Sequence, residues 1–143
     1  MLSKGSTDAL RALLELAEAP ERWRSTRELA EAQQLAEPML EQLLLRLRRA
    51  GLLQARRGRL GGYRLARPPH QIGVQEVIAA IQGPSSPSAE SGGSAADQVT
   101  RALEARLQRA VTRALLELSL EELLFDLRSA EACRDGEAGL LLG

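Results

Sequence analysis

The segment Arg56-Arg57-Gly58-Arg59-Leu60-Gly61-Gly62 lies between two short strand-like runs, Leu52–Ala55 and Tyr63–Leu65. Three glycines and three arginines in seven residues suit neither a helix nor a paired strand. Flanked this way, they predict a hairpin with a flexible, cationic tip. Pro68-Pro69 closes the unit. Everything upstream has helical periodicity, so the hairpin is an appendage on a helical body. The composition agrees: 44% of residues are apolar but only 2% aromatic. The core must be built from Leu and Ala, both strong helix formers.

The apolar positions Ala9, Leu10, Leu13, Leu14 and Ala17 predict an amphipathic first helix over 9–18, stopped by Pro20. Ser25-Thr26-Arg27-Glu28 has the spacing of a capping box and opens a short second helix, with Leu29 and Ala30 facing inward. A third helix starts at about Pro38. Its stripe of Leu40, Leu43, Leu44 and Leu47 follows i, i+3, i+4, i+7 spacing, and Gly51 ends it. At 100° per residue the opposite face carries Pro38, Glu41, Gln42, Leu45 and Arg49, with Arg46 on the flank. Gly73–Gln82 predicts a short fourth helix, and residues 83–96 read as a Ser/Gly/Pro-rich flexible loop. A long helix follows over about 97–118, with Val99, Leu103, Leu107, Ala110, Val111, Ala114 and Leu118 on one apolar face. Nothing else of that length in the chain would cover this face, whereas a second copy would. Ser119 and Glu122 repeat the capping pattern before a last helix over 119–127, and 132–143 reads as a loose tail apart from the apolar Leu140–Leu142.

The formal charge is zero, but it is unevenly placed. Residues 1–70 hold 13 Lys/Arg against 8 Asp/Glu, and 71–143 hold 6 against 11. No acidic residue falls between Glu41 and Glu76, a stretch with eight arginines. Such a split suits a basic working face for nucleic acid, as well as a merely solvated surface. A single cysteine, Cys133, excludes an internal disulfide. No secretory signal pattern is present, and no run approaches the roughly 20 apolar residues that span a bilayer. A cytoplasmic protein is expected.

Helix, capped helix, turn, helix and Gly/Arg hairpin together give a mainly α fold. Its expected form is a winged helix-turn-helix head with a small β-hairpin wing, plus a long C-terminal dimerisation helix. The expected division is a DNA-binding head over 1–83, a loop over 84–96, a dimerisation region over 97–131 and a tail over 132–143. The third helix is slim enough for a major groove, where every base pair shows a distinct pattern of donors and acceptors. Glu41 suits a cytosine amino group, Gln42 an adenine, Leu45 a thymine methyl, and Arg46 and Arg49 a phosphate or guanine. Arg57 or Arg59 would sense the narrow minor groove. Gly58, Gly61 and Gly62 would let the backbone approach the sugar-phosphate wall. Arginines opposite leucines also suit any solvated amphipathic helix. A nucleotide-cradling loop is excluded, since no Gly-Lys-Ser/Thr follows and the tip leads into a strand. A winged helix turned into a protein-interaction module, with Leu45 and Leu140–Leu142 as contacts, remains the alternative. An enzyme is not expected, because no nucleophile–base pair or carboxylate dyad is visible.

These residues resemble the Rrf-type regulators, the family of IscR, NsrR and CymR. The resemblance is carried by Ser3-Lys4-Gly5, Ala9–Ala17, Leu40-Glu41-Gln42-Leu43 with Leu47-Arg48, Gly51-Leu52, Arg57-Gly58, Gly61-Gly62-Tyr63 and Ala66-Arg67-Pro68. Val74–Ile81, Gly83-Pro84 and Ser119–Leu123 continue it. It implies a homodimer on a partly palindromic promoter site, with the residue matching Glu41 discriminating bases and the one matching Arg57 in the minor groove. The expected dimer contacts are Val99, Leu103, Leu107, Val111, Ala114 and Leu118.

The chain departs from the family in several places. Sensor members hold an iron–sulfur cluster on three cysteines after the Gly-Pro pair, where this chain has none. Serines and carboxylates replace thiolates poorly as cluster ligands, so no cofactor and no metal are expected. Asp8 stands near the family's usual aromatic, and Gln34-Leu35-Ala36 replaces a Gly-Ile-Ser turn. Trp23 reads as a packing residue under the loop before the second helix, His70 as a surface residue and Cys133 as a free thiol.

Overall fold

The structure is a computed structural model that describes residues 2–83 and 92–142, with side chains to residue 137. Among the described residues it comprises α1 (Lys4–Glu18), α2 (Thr26–Gln33), α3 (Glu37–Arg49), β1 (Leu53–Arg56), β2 (Gly62–Leu65), a 3-10 turn (Pro69–Gln71), α4 (Val74–Gln82), α5 (Ala95–Leu116) and α6 (Leu120–Leu142). The chain is mainly helical with one antiparallel hairpin, a winged helix-turn-helix.

Helix α1 starts five residues before the apolar run at Ala9, because Ser3 Oγ accepts the Ser6 N–H at 3.1 Å. An N-terminal cap of this kind extends a helix beyond its buried stripe. Asp8 is buried on this helix, 3.8 Å from both Lys4 and Arg11, and its Oδ2 has no hydrogen bond. Ser25 caps α2 by accepting the Glu28 N–H, while the Glu28 carboxylate pairs with Arg22 and Arg24. Gln34 ends α2 at φ 55°, a left-handed conformation that costs a non-glycine residue roughly 1–2 kcal/mol. Helix α3 has Pro38 in its first turn, no side-chain cap, and Arg46, Arg48 and Arg49 in its last turn against the negative end of the dipole.

The core holds most of the predicted positions, but on α1 Ala12 and Leu16 are buried while the predicted Leu10 and Leu14 are only partly covered. Leu40, Leu43, Leu44 and Leu47 of α3 are buried with Ala9, Leu13, Leu16 and Ala17 of α1, Leu29 and Ala30 of α2, and Val77 and Ile81 of α4. Truncating such a leucine to alanine typically costs about 2–5 kcal/mol. In the hairpin Leu53 faces Leu65 and Ala55 faces Tyr63, so Leu53, Tyr63 and Leu65 turn one face to the core. Arg24 adds a one-residue third strand beside β2: its N–H donates to the Tyr63 carbonyl at 2.9 Å, and its carbonyl accepts from Tyr63 at 2.7 Å.

The C-terminal half differs from expectation in three places. The long helix begins two residues earlier, at Ala95, because Ser94 and Asp97 form a capping box. It stops at Leu116, so Leu118 lies in the break before α6 and not on the helix face. The Leu118 carbonyl accepts from Val74 N–H at 2.9 Å, and Leu120 N–H donates to the Ile72 carbonyl at 2.8 Å. Tethering the break to the segment before α4 ends the helix there. Finally, 132–142 is helical and not a loose tail, since α6 continues to Leu142. Ala and Leu supply five of its eleven residues, and single glycines weaken a helix without stopping it. The Leu140–Leu142 contacts lie outside the described side chains, and 84–91 of the expected loop lies outside the described residues. Leu120 and Leu124 return α6 to the core beside α1, whereas no residue of α5 is buried. Among the described residues no helix is long and apolar enough to cross a membrane.

Candidate nucleic-acid interface

The outer face of α3 presents Pro38, Gln42 and Arg49 to solvent, with Leu45 half-buried among them. Arg48 is also exposed, on the flank of α3 nearer Tyr63 of the hairpin. Glu41 turns to the flank between α2 and the wing. Its Oε1 accepts from the Tyr63 hydroxyl at 3.0 Å and its Oε2 from the Thr26 hydroxyl. Arg46 turns the other way, and its Nη1 donates to the Ile81 carbonyl at the end of α4, at 3.1 Å. The helix is therefore fixed on both sides by its own polar residues. Burial is the main cause that raises the Tyr63 hydroxyl above its usual pKa, with the hydrogen bond to Glu41 second.

At the wing tip Arg56, Arg57, Gly58, Arg59 and Leu60 are all exposed, and Gly58 has φ 107°. Gly61 and Gly62 are required from within the chain. A Cβ at Gly61 would lie 2.1 Å from the Arg56 carbonyl oxygen, and one at Gly62 would lie 2.2 Å from the Arg24 carbonyl oxygen. The hairpin closes against its own backbone and against the Arg24 segment only if these positions carry no side chain.

The cations of residues 2–83 divide cleanly. Lys4, Arg11, Arg22, Arg24, Arg27 and Arg67 each pair with a carboxylate. Among the described residues Arg46, Arg48, Arg49, Arg56, Arg57, Arg59 and Arg64 have no acidic partner, and all seven belong to α3 or the hairpin. An anion binding at α3 or the hairpin meets cations that need not break ion pairs first.

Sequence reasoning misses the roles of Thr26 and Tyr63 in holding Glu41. Thr26 lies fifteen residues from Glu41, a separation no local pattern encodes. Tyr63 is legible only as a strand residue of suitable alternation. Nor does any local pattern single out Leu60, which stands 80% accessible at the tip.

On the helix α5, Val99, Leu103 and Leu107 are 69%, 52% and 52% exposed. Leu107 and Val111 also edge a cleft of about 650 Å³ between α4 and α5.

Residues 2–126 match the profile of the Rrf2 family, described as an iron-dependent transcriptional regulator. The Synechocystis sp. protein slr0846, classed by name with the HTH-type transcriptional regulators, is 36% identical over 137 residues, 93% of each chain. The solved structure of T. potens IscR superposes with a TM-score of 0.74 at 33% identity, over 91% of this chain and 90% of that one. CymR, named as the global cysteine regulator of B. subtilis, superposes with a TM-score of 0.71 at 33% identity, over 87% and 95%. The iron in the family description meets a poor donor set here. The whole chain has one cysteine, Cys133, exposed on α6, and among the described residues no three His, Cys, Asp or Glu side chains converge as metal ligands. A thiolate-held cluster does not fit these residues. Fold, wing and sequence likeness agree that the chain belongs to the Rrf2 family of transcriptional regulators.

Proposed function

We propose that the protein is a sequence-specific DNA-binding regulator that grips a palindromic promoter site as a homodimer, without an iron–sulfur cluster. The observation that carries this reading is the set of seven arginines without acidic partners, confined to α3 and the hairpin. Cations without acidic partners, gathered on one helix and the hairpin beside it, supply the counterion-release term that dominates affinity for duplex DNA.

In this reading α3 enters the major groove, with Gln42, Leu45 and Arg49 at base edges and Arg46 beside the backbone. Glu41 contributes as a carboxylate of fixed orientation, since each oxygen keeps a second lone pair for a cytosine amino group. Arg57 and Arg59 enter the minor groove, and the tip carried by Gly58, Gly61 and Gly62 lies along its wall. The head over 1–83 is held as a pair by the region 97–131, through Val99, Leu103, Leu107, Val111 and Ala114. The exposed apolar face of α5 supports a second copy as its cover. Two-fold symmetry then calls for half-sites one helical turn, or a multiple of it, apart.

Selection of bound fragments from a random duplex library tests the reading. Recovery of a palindrome with fixed half-site spacing is expected. Enrichment of an unpaired single half-site would remove the homodimer, and enrichment of nothing would remove sequence-specific binding.

A further inference from the structure

Trp23 lies on the segment between α1 and α2, next to the Arg24 bridge to β2. Successive side chains of an extended segment point to opposite faces. Arg24 turns inward to Glu15 and Glu28, so Trp23 turns to the outer face of the hairpin. That face carries Gln54, Arg56 and Arg64, the strand positions opposite in alternation to Leu53, Tyr63 and Leu65. The Arg64 guanidinium stands 4.3 Å from the Trp23 ring centroid and that of Arg56 5.6 Å. Arg64 Nε donates to Gln54 Oε1 at 3.1 Å. Among the described residues neither arginine has a carboxylate partner, although Glu21 lines the same shallow cleft as Arg64.

Two cations that share one aromatic ring repel each other, and an anion between them relieves that repulsion. The indole face attracts both guanidiniums and restrains their torsions, while their N–H edges remain in plane for an oxygen acceptor. A planar fork of this kind matches phosphate oxygens. Arg56 leads directly into Arg57 at the tip, so the stacked pair continues the cationic surface from the tip down the outer side of the wing.

We propose that Trp23, Arg56 and Arg64 form a phosphodiester-binding site on the outer face of the wing, in which Trp23 positions the two arginines. This inference rests on the DNA-binding reading and adds a backbone grip that reads no sequence. The site is separate from the base-reading face of α3.

The test uses the full chain and labelled mixed-sequence duplex over a salt series, with thermal melting of each variant as a control. The double variant R56Q/R64Q is expected to weaken binding to every duplex alike and to reduce the salt slope by about 1 for each phosphate that it no longer neutralises. W23A is expected to weaken binding several-fold in the wild-type background and to have no further effect in R56Q/R64Q, while W23F keeps most of the affinity. Trp23 is the single tryptophan of the chain, so its emission is expected to change on duplex saturation in the wild type and not in R56Q/R64Q. An unchanged salt slope in R56Q/R64Q, or silent Trp23 emission on a binding wild type, overturns the site and leaves the DNA-binding reading standing. Full additivity of W23A with R56Q/R64Q overturns the positioning role. A wild type that binds no duplex at any salt overturns both.

Discussion

The Tyr63 hydroxyl donates a hydrogen bond to Glu41 Oε1 at 3.0 Å, joining the wing strand β2 to helix α3. The other carboxylate oxygen is held by Thr26 on α2. One glutamate thus fixes the relative placement of the three elements that would face DNA.

Tyr63→Phe removes the donor and leaves Glu41 Oε1 partly unsatisfied. The expected cost is about 1 kcal/mol, read by chemical denaturation. The pH dependence carries a second signature. The folded Tyr63 pKa is raised, chiefly by burial and then by Glu41. Its contribution is therefore fully present below the ordinary tyrosine value of about 10 and is lost as pH rises through the folded value. The variant should lack this alkaline loss; an identical alkaline limb in both proteins would rule the linkage out.

Gly62 has φ 136°, and its missing Cβ would lie 2.2 Å from the Arg24 carbonyl oxygen. Gly62→Ala must break the Arg24 bridge or the hairpin, at an expected cost of about 3 kcal/mol or more. Hydrogen exchange should show the Tyr63 and Arg24 amides losing protection ahead of those in α1. Unchanged protection would contradict the close approach.

Arg57→Ala together with Arg59→Ala removes two unpaired charges at the exposed tip, where neither contributes to the core. Stability should change by less than about 0.5 kcal/mol. Affinity for promoter DNA should be abolished, and wild-type affinity should fall steeply with salt. Normal promoter binding by the double variant would end the minor-groove role of the wing.

Leu103→Asp with Leu107→Asp places charge on the exposed apolar face of α5. Sedimentation should show a monomer whose helical content is unchanged, because α5 contributes no buried residue to the head. A variant that still sediments as a dimer would move the dimer contact elsewhere.

The Glu76 pKa is held below its ordinary value, first by the Gly73 N–H and then by Arg67. A depressed carboxylate stabilises above the unfolded value of about 4.3, and that contribution is lost as pH falls through the folded value. Glu76→Gln should cost only a few tenths of a kcal/mol at neutral pH, given the exposure of the pair, and should flatten the acid limb of stability. A wild-type acid limb in the variant would show that other carboxylates govern it.

The local rules of the sequence determined much of this protein. The i, i+3, i+4, i+7 leucines placed the buried face of α3, Gly51 its end, and the Gly/Arg segment a hairpin, because each depends on neighbours within a few residues. The charge split marked the basic segment for the same reason. Tertiary structure alone decided which polar groups are free. Periodicity set Glu41 on the outer face of α3 and Arg46 on its flank, but packing of α2, β2 and α4 turned Glu41 to the other flank and gave each a partner. Likewise, the helix break at Leu118 depends on a backbone bond to Val74, more than forty residues away in the chain. Trp23 met Arg64 only because the Arg24 bridge laid its segment beside β2. Hydrogen bonds and ring contacts between distant segments have no local period, so a pattern that fixes helices and turns does not determine them.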